Sequence, residues 1–273
     1  MTLNCNGKLV DISSPKVMGI LNCTPDSFFD GGKYNNESDI LQQVEKMLLE
    51  GATFIDVGAY SSRPGATHIS EEEELQRIVP VIELLVKNFP EIIISVDTFR
   101  SNVAKETVEV GAAIINDISG GKMDSNMFKT VAELKVPYIM MHMLGTPQNM
   151  QKNPVYQDVT KELISFFAAQ ISKLHQLKVN DIIIDVGFGF GKTIEHNYQL
   201  LKDLALFKNL DASILAGISR KSMLYKPLEI TPQLALNATT SANTIALLNG
   251  ANILRVHDVK EAMEAIKIVE QLN

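Results

Sequence analysis

Short apolar runs alternate along the chain with longer segments in which apolar residues recur at helical spacing. Continuous runs rich in Val, Ile and Leu are typical of parallel strands that are buried on both faces. Such runs predict strands at residues 17–21, 54–57, 92–96, 113–115, 138–141, 182–184, 214–218 and 253–254. Helical patterns separate them, and this strict alternation favours an α/β fold, a closed (β/α)8 TIM barrel, over an open doubly wound sheet.

The segments around the first predicted barrel strand refine this prediction. An Asn-Gly pair at residues 6 and 7 is a strong turn signal and predicts an N-terminal β-hairpin, which would cover the bottom of the barrel. The strand is followed by Asn-Cys-Thr-Pro from Asn22 onward, and not by the glycine-rich phosphate loop of an open dinucleotide-binding sheet. Further on, Ser70 and Glu73 predict a capping box, and the acidic run 71–74 is interpreted as a solvated first helical turn rather than as a metal cluster.

Size, charge and cysteine content limit the classes of function. The chain has 273 residues, of which 45% are hydrophobic, and no linker-like segment divides it, so we expect a single domain. A formal net charge of −7 argues against general affinity for nucleic acid or anionic membranes. The 2 cysteines provide neither a disulfide framework nor a zinc pattern. Because the first residues carry no basic and apolar leader and no apolar stretch is long enough to span a membrane, we expect a cytoplasmic protein.

Polar residues follow the predicted strands at the points where the strands end. In a closed parallel barrel the carboxyl ends of all strands share one rim, so these scattered residues would form one site. Asp97, Asn116 and Asp185 each end a different strand. An isolated acid in such a place is often only a helix N-cap. Three acid or amide groups at one rim predict a pocket for a flat heterocycle with N–H donors.

Two cationic clusters follow the last two predicted strands. Lys221 lies in the segment 219–222 (Ser-Arg-Lys-Ser), and Arg255 and His257 flank Val256. In barrel enzymes the loops in these two places frequently bind phosphate, and Arg, Lys and His are suited to phosphate oxygens. The clusters therefore predict an anion site, with a buried core histidine as the alternative for His257. His142 fits a packed histidine on the pocket floor as well as a catalytic one.

The segment 187–193 (Gly-Phe-Gly-Phe-Gly-Lys-Thr) invites comparison with nucleotide-binding loops, but it satisfies neither common pattern. The Walker pattern requires Gly where Val186 stands, and the dinucleotide fingerprint requires one more residue before its last Gly. We interpret the segment as a loop whose glycines let a planar ligand approach the backbone, with Phe188 and Phe190 as candidates for stacking on it. A purely structural loop is the alternative.

Taken together and in their order along the chain, several segments resemble the dihydropteroate synthases. The matching segments are residues 18–28, 30–32, 61–65, 95–98, 115–118, 141–143, 185, 187–192, 219–222 and 255–259. The resemblance implies that the chain, as a single pterin-binding TIM-barrel domain over residues 1–273, condenses (7,8-dihydropterin-6-yl)methyl diphosphate with 4-aminobenzoate. The products would be 7,8-dihydropteroate and diphosphate, in folate biosynthesis. The resemblance also implies that the chain forms a homodimer and that sulfonamides inhibit it.

The resemblance further implies a role for each matching site residue. The pterin would be bound by Asp97, Asn116, Asp185 and Lys221. The diphosphate would be bound by Asn22, Ser62, Arg255 and His257, and Val256 would also contact substrate. Mg²⁺ would lie at Asn22, since Mg²⁺ keeps phosphate oxygens and waters as its other ligands. The 4-aminobenzoate would lie beside Pro25, Arg63, Phe190 and Ser222. The catalytic residues would be Asp30, Arg63 and Lys221, with Asp30 stabilising a pterin cation that forms when diphosphate leaves first.

Departures from the family pattern are modest. Tyr60, Val186 and Phe29 stand where other residues are more usual, beside the motif residues and not on them. Two alternative functions remain: a related pterin-binding barrel that transfers a methyl group from methyltetrahydrofolate, and a non-catalytic pterin-binding or dimerising paralogue. The first would share the acids and the amide but would need neither Mg²⁺ nor the Arg255 and His257 site. The long polar loops 22–36 and 59–69 are expected to order over the substrates.

Overall fold

The chain begins with a short antiparallel hairpin. The computed structural model describes residues 1–23, 37–61, 68–150 and 153–272. Strand β1 (Thr2–Cys5) pairs with β2 (Lys8–Asp11), and the turn residues Asn6 and Gly7 both have positive φ angles, 52° and 86°. Two positive φ angles define the type I′ turn that the Asn-Gly pair predicts, so the predicted hairpin is confirmed.

The eight strands that follow close into a parallel barrel in the order β10-β3-β4-β5-β6-β7-β8-β9. They are β3 (Lys16–Asn22), β4 (Phe54–Gly58), β5 (Ile94–Asp97), β6 (Ile114–Asp117), β7 (Tyr138–Met141), β8 (Ile182–Asp185), β9 (Ser213–Ala216) and β10 (Ile253–Val256). The predicted TIM barrel is therefore confirmed. All eight carboxyl ends lie at one rim of the barrel, as the closed parallel topology requires.

Helices pack around this barrel. They are α1 (Glu37–Leu49), α2 (Glu71–Asn88), α3 (Ser101–Glu109), α4 (Met127–Leu134), α5 (Val159–Gln176), α6 (Ile194–Lys202), α7 (Ser222–Tyr225), α8 (Leu236–Leu248) and α9 (Val259–Glu270). Helix α6 begins at Ile194 because Thr193 caps it by accepting a hydrogen bond from the His196 amide at 3.2 Å. It ends at Lys202, and a separate 3₁₀ helix spans Leu204–Leu210.

The interior of the barrel has an apolar bottom and a polar top. Met18, Phe54, Ile183 and Leu215 belong to one buried cluster with Leu3 of the hairpin, which confirms that the hairpin covers the bottom. Two residues further along a strand the side chain points inward again, because strand side chains alternate between faces. At this second level several inward positions carry polar side chains, among them Asp56, Asn116, Asp185 and Arg255, which form the site described below.

Helix α2 corrects one prediction. The acidic run 71–74 was expected to be solvated, but Glu74 is fully buried, on the same face of α2 as Ile78. Thr98 Oγ1 donates to Glu74 Oε1 at 2.7 Å, and Arg100 forms an ion pair with the other carboxylate oxygen. Burial raises the pKa of Glu74, while Thr98 and Arg100 act against that rise. Of the predicted capping box one half is observed, since Ser70 Oγ accepts from the Glu73 amide at 3.1 Å, while the Glu73 carboxylate pairs with Arg77.

Candidate active site

Neighbouring strands place three of the predicted site residues, Asn22, Asp97 and Asn116, at the same height on the rim. The strand register pairs Asn22 with Gly58, Gly58 with Asp97, and Asp97 with Asn116. A methyl group at Gly58 would lie 3.4 Å from Asp97 Cβ and 3.9 Å from Asn22 Oδ1. The glycine therefore brings the Asn22 amide oxygen close to the Asp97 side chain, and the predicted grouping of these residues is observed.

An arginine and two acids from three strands form the centre of the site. Arg255 donates from Nε to Asp56 Oδ2 at 2.6 Å and from Nη2 to Asp97 Oδ2 at 2.9 Å. Asn116 Nδ2 donates to the same oxygen of Asp56 at 3.0 Å. These contacts use Nε and Nη2 of the Arg255 guanidinium. Nη1 is the guanidinium nitrogen that they do not use.

The charges in this cluster influence one another strongly. Burial raises the pKa of Asp97 to about 7, even though the guanidinium of Arg255 acts to lower it. Burial would lower the pKa of Arg255, but Asp56 and Asp97 together raise it, so that Arg255 stays charged. Asp56 Oδ1 is fully buried and accepts no hydrogen bond from any described residue. A buried acceptor of this kind requires a donor, and a bound ligand could provide it.

Asp56 is a candidate site residue that the sequence analysis did not select. The predicted site residues follow or end strands, whereas Asp56 lies in the middle of β4. The sequence signal for Asp56 is the alternation of inward and outward side chains along β4, which places Phe54, Asp56 and Gly58 on the inward face. An acid on an inward face of a barrel strand is costly unless a partner or ligand binds it.

Asp185 and Lys221 meet on the opposite side of the rim. A methyl group at Gly217 would lie 3.5 Å from Asp185 Oδ2 and 3.8 Å from Lys221 Nζ. Asp185 Oδ1 accepts from the Gly187 amide at 2.7 Å, which fixes the carboxylate. Burial raises the pKa of Asp185, and burial lowers the pKa of Lys221 to about 8 while Asp185 acts to raise it. An acid and an ammonium thus converge where the backbone has no side chain.

The two phenylalanines of the glycine loop have different positions. Phe190 is partly exposed, and the Lys221 ammonium lies 4.7 Å from the centre of its ring. Phe188 is fully buried in the core between barrel and helices, so the prediction that Phe188 stacks on a ligand is wrong. Its contribution to the site is a backbone carbonyl, which accepts from Lys221 Nζ. The loop can turn here because Gly187 has a φ of +69°, and a methyl group there would lie 2.1 Å from His142 O.

The cationic segment after β10 is held by the loop after β9. Ser219 Oγ and His257 Nδ1 are 3.0 Å apart, and the same hydroxyl accepts from the His257 amide at 3.3 Å. Asp258, next to His257, receives two hydrogen bonds from Arg220 at 2.8 Å. Val256 is buried with its side chain in the core, so its backbone is the part that can face a substrate. Ser219 therefore orients His257, a role that the sequence analysis did not assign.

His142 is a packed residue below the site. It is buried, and its ring lies against Phe166 with a centroid distance of 5.0 Å. Burial lowers its pKa to about 2, and the neighbouring Lys192 lowers it further in the same direction. The imidazole is therefore neutral, which supports the packed interpretation over the catalytic one. Its partner Lys192 is a buried cation that the sequence analysis did not select.

Some of the predicted site residues lie outside the described part of the chain. These residues are Pro25, Asp30, Ser62 and Arg63. The same holds for most of the loops 22–36 and 59–69, whose expected ordering stays a prediction. Ser222 lies within the described residues and is the first residue of α7, directly after Lys221.

Asn22 fits a magnesium ion that takes most of its ligands from elsewhere. Within residues 1–23, 37–61, 68–150 and 153–272, no group of three or more His, Cys, Asp or Glu side chains could hold a metal ion. A hard amide oxygen at the rim, close to the predicted anion site, suits a cation whose other ligands are phosphate oxygens and waters.

None of the helices in the described residues is long and apolar enough to cross a membrane.

Comparisons with known proteins agree with this geometry. The family described as "Pterin binding enzyme" matches residues 18–257. The chain is 45% identical over 272 residues to dihydropteroate synthase of Escherichia coli strain K12, covering 99% of this chain and 96% of the relative. A solved structure of Yersinia pestis dihydropteroate synthase in a sulfonamide drug complex matches with a TM-score of 0.95 and 43% identity over 100% of this chain and 99% of the other. Dihydropteroate synthase of Xanthomonas albilineans with 4-aminobenzoic acid matches with a TM-score of 0.91 and 36% identity over 99% of this chain and 97% of the other.

Proposed function

This chain belongs to the dihydropteroate synthases, and on that premise we propose how its residues bind the two substrates and promote their condensation. The protein is a transferase that makes dihydropteroate in folate biosynthesis. One observation supports the assignment of roles above all. Three inward-facing acids, Asp56, Asp97 and Asp185, lie at the top of the barrel with two partly buried cations, Lys221 and Arg255.

The pterin ring lies across the rim between the two halves of this cluster. Its amidine-like N–H groups donate to Asp185 and to the buried acids around Asn116, and its ring acceptors meet Asn116 and Lys221. Asp56 Oδ1 supports this placement, since it is a buried acceptor that requires a donor. Gly217 supports it as well, because the space that a side chain would fill there lies beside both Asp185 and Lys221.

The diphosphate binds where the loops after β9 and β10 meet. His257, oriented by Ser219, and Nη1 of Arg255 are suited to its oxygens. Asn22 holds Mg²⁺ there, and Ser62 and the Val256 backbone complete the contacts. Mg²⁺, when bound, stabilises the negative charge on the leaving diphosphate.

The reaction proceeds by departure of diphosphate before the amine attacks. The bond between the pterin methylene carbon and the ester oxygen breaks, and both electrons leave with the diphosphate. The remaining cation is delocalised into the pterin and is stabilised by Asp30. The lone pair of the 4-aminobenzoate nitrogen then forms the new C–N bond, and the nitrogen loses a proton. A strongly activated carbon is required because an aromatic amine is a poor nucleophile.

The 4-aminobenzoate occupies the outer edge of the rim. Phe190 supports this placement, since its partly exposed ring lies beside the Lys221 ammonium at 4.7 Å. Arg63, Pro25 and Ser222 border the same substrate, and Arg63 and Lys221 act on the reacting groups.

The chain also forms a homodimer in the cytoplasm, as the family resemblance implies. Ile245 and Leu248 of α8 are 44% and 55% exposed, which supplies apolar surface for a second copy. Sedimentation at several protein concentrations tests the dimer, and a monomer throughout would contradict it.

Residues 1–273 form one pterin-binding domain.

The decisive experiment measures release of diphosphate. We expect release that requires the dihydropterin diphosphate, 4-aminobenzoate and Mg²⁺ together. Transfer of a methyl group from methyltetrahydrofolate, without diphosphate release, would support the related methyltransferase instead. Pterin binding without any turnover would support the non-catalytic alternative.

A further inference from the structure

Lys192 is a buried cation with three hydrogen-bond acceptors around it. It follows the glycine loop after β8 and is 4% exposed. Its Nζ lies 3.2 Å from His142 Nδ1, 3.1 Å from the His142 carbonyl oxygen and 3.0 Å from the Phe190 carbonyl oxygen. An ammonium group has three N–H donors, so these three acceptors satisfy it completely.

These contacts join two neighbouring loops of the rim. His142 follows β7, and the carbonyl of Phe190 belongs to the loop between β8 and α6. A second lysine holds the same loop from the other side, because Lys221 Nζ donates to the Phe188 carbonyl. The Gly189 amide in addition donates to Asn197 Oδ1 at 2.7 Å. Two ammonium groups therefore bind carbonyls two residues apart in this loop.

The state of charge of the pair is consistent with this geometry. In the tautomer that carries its proton on Nε2, the neutral His142 imidazole accepts a hydrogen bond at Nδ1 from Lys192. Burial lowers the pKa of Lys192 to about 7, while Asp185 acts to raise it and Lys221 and Lys122 act to lower it. Nothing in the proposed reaction uses either member of the pair.

We propose that Lys192 is a positioning residue that fixes the backbone of Phe190 and thereby sets where the Phe190 ring stands against Lys221. The effect reaches the substrate through the ring, so this inference rests on the proposed placement of 4-aminobenzoate beside Phe190. Asp56 and Asp97 lie on strands that Lys192 does not contact, and Asp185, on which Lys192 acts through its charge, is fixed separately by the Gly187 amide.

The first test replaces Lys192 with methionine, which has a similar length and no donor. We expect the KM for 4-aminobenzoate to rise at least about tenfold, since small displacements of a positioning group have effects of this size. Binding of a pterin without diphosphate, measured by calorimetry, should change less than about threefold. Amide hydrogen exchange in a peptide covering residues 186–193 should be faster in the ligand-free Lys192→Met protein, whose melting temperature verifies that it folds.

Two further variants distinguish positioning from a general loss of packing. His142→Asn keeps an acceptor close to the position of Nδ1, whereas His142→Leu removes it. We expect His142→Leu to raise the KM for 4-aminobenzoate as Lys192→Met does. His142→Asn should return this KM most of the way to that of the unchanged protein, and the two His142 variants should have similar melting temperatures. Equal KM values for the two His142 variants would overturn the proposal.

Phe190→Leu separates this inference from the proposed function. A raised 4-aminobenzoate KM in both Phe190→Leu and Lys192→Met supports the proposal. If only Phe190→Leu raises the KM, Lys192 is not a positioning residue, although Phe190 still borders the substrate. If neither variant changes it, both the placement of 4-aminobenzoate and the positioning role are wrong.

Discussion

The Arg255 guanidinium and the Asp97 carboxylate form an ion pair across the mouth of the barrel, with Nη2 and Oδ2 2.9 Å apart. Their strands, β10 and β5, are not neighbours, since β3 and β4 lie between them. The contact is possible because a closed barrel points both side chains into the same interior. Arg255 therefore supplies the counter-charge for Asp56 and Asp97, in addition to the contact with diphosphate that we propose for Nη1.

We predict that Arg255→Met destabilises the protein in a pH-dependent way. Loss of the guanidinium leaves the fully buried Asp56 and the partly buried Asp97 without their counter-charge, and an unpaired buried charge typically costs about 3–5 kcal/mol of unfolding free energy. The pKa of Asp97, already raised by burial, should rise further. Because protonation removes the unpaired charge, the loss should be larger at about pH 8 than at about pH 6. Urea unfolding at the two pH values measures the difference.

An exposed arginine is the matched control for this experiment. Arg77 pairs with Glu73 on the surface of α2, where both side chains contact solvent. Arg77→Met should change the unfolding free energy by less than about 1 kcal/mol at either pH, as exposed pairs contribute little. A loss in Arg255→Met that is the same at both pH values would contradict the role of the two acids.

We further predict that pterin binding releases protons and strengthens as the pH rises from about 6 to about 8. Burial raises the pKa of Asp97 to about 7, so in the ligand-free protein its contribution to stability is lost as the pH rises through that value. A ligand that donates N–H groups to the carboxylate favours its ionised form and lowers this pKa. Calorimetry in two buffers with different ionisation enthalpies measures the protons released.

Asp97→Asn is the control for the proton release. The amide cannot titrate, so this variant should bind pterin weakly and release fewer protons. An affinity that is independent of pH in the unchanged protein, with no proton release, would rule out a raised Asp97 pKa in the ligand-free site.

We also predict that Glu74 and Glu73, neighbours on α2, differ sharply in their effect on stability. Glu74→Met leaves the buried Arg100 without its partner and should lower the unfolding free energy by about 3–5 kcal/mol. Glu73→Met removes an exposed partner of Arg77 and should change the unfolding free energy by less than about 1 kcal/mol. Thermal unfolding of the two variants side by side makes the comparison, and similar losses would refute the difference.

How far the sequence predicts this molecule depends on how local each signal is. The hairpin, the barrel and the grouping of Asp97 with Asn116 follow from turn chemistry and strand ends, which are local patterns. Asp56 was missed because its partner Arg255 is distant in sequence and only barrel closure brings the two together. Glu74 was misjudged for a similar reason, since its partner Arg100 lies on another element.

The glycine loop shows the same limit at the level of single side chains. Its composition predicts close approach of a ligand to the backbone, but it does not distinguish the buried Phe188 from the partly exposed Phe190. The difference depends on the positive φ angles of Gly187 and Gly189, +69° and +82°. These angles arise from the contacts of the loop with β7, α6 and Lys221, which the local sequence does not reveal.

Finally, we predict that Gly217→Ala blocks pterin binding in a protein that stays folded. The added methyl group would lie 3.5 Å from Asp185 Oδ2 and 3.8 Å from Lys221 Nζ, which are ordinary contacts, so the melting temperature should change little. The same methyl group would occupy the space between the acid and the ammonium, where the pterin is proposed to lie. Pterin affinity should fall about 5- to 150-fold, because overpacking of a close-fitting site costs about 1–3 kcal/mol. Gly187→Ala is the contrasting variant, since its methyl group would lie 2.1 Å from the His142 carbonyl oxygen and the fold itself should suffer. Calorimetry and melting temperatures of both variants test the pair, and unchanged pterin affinity in a folded Gly217→Ala protein would place the pterin elsewhere.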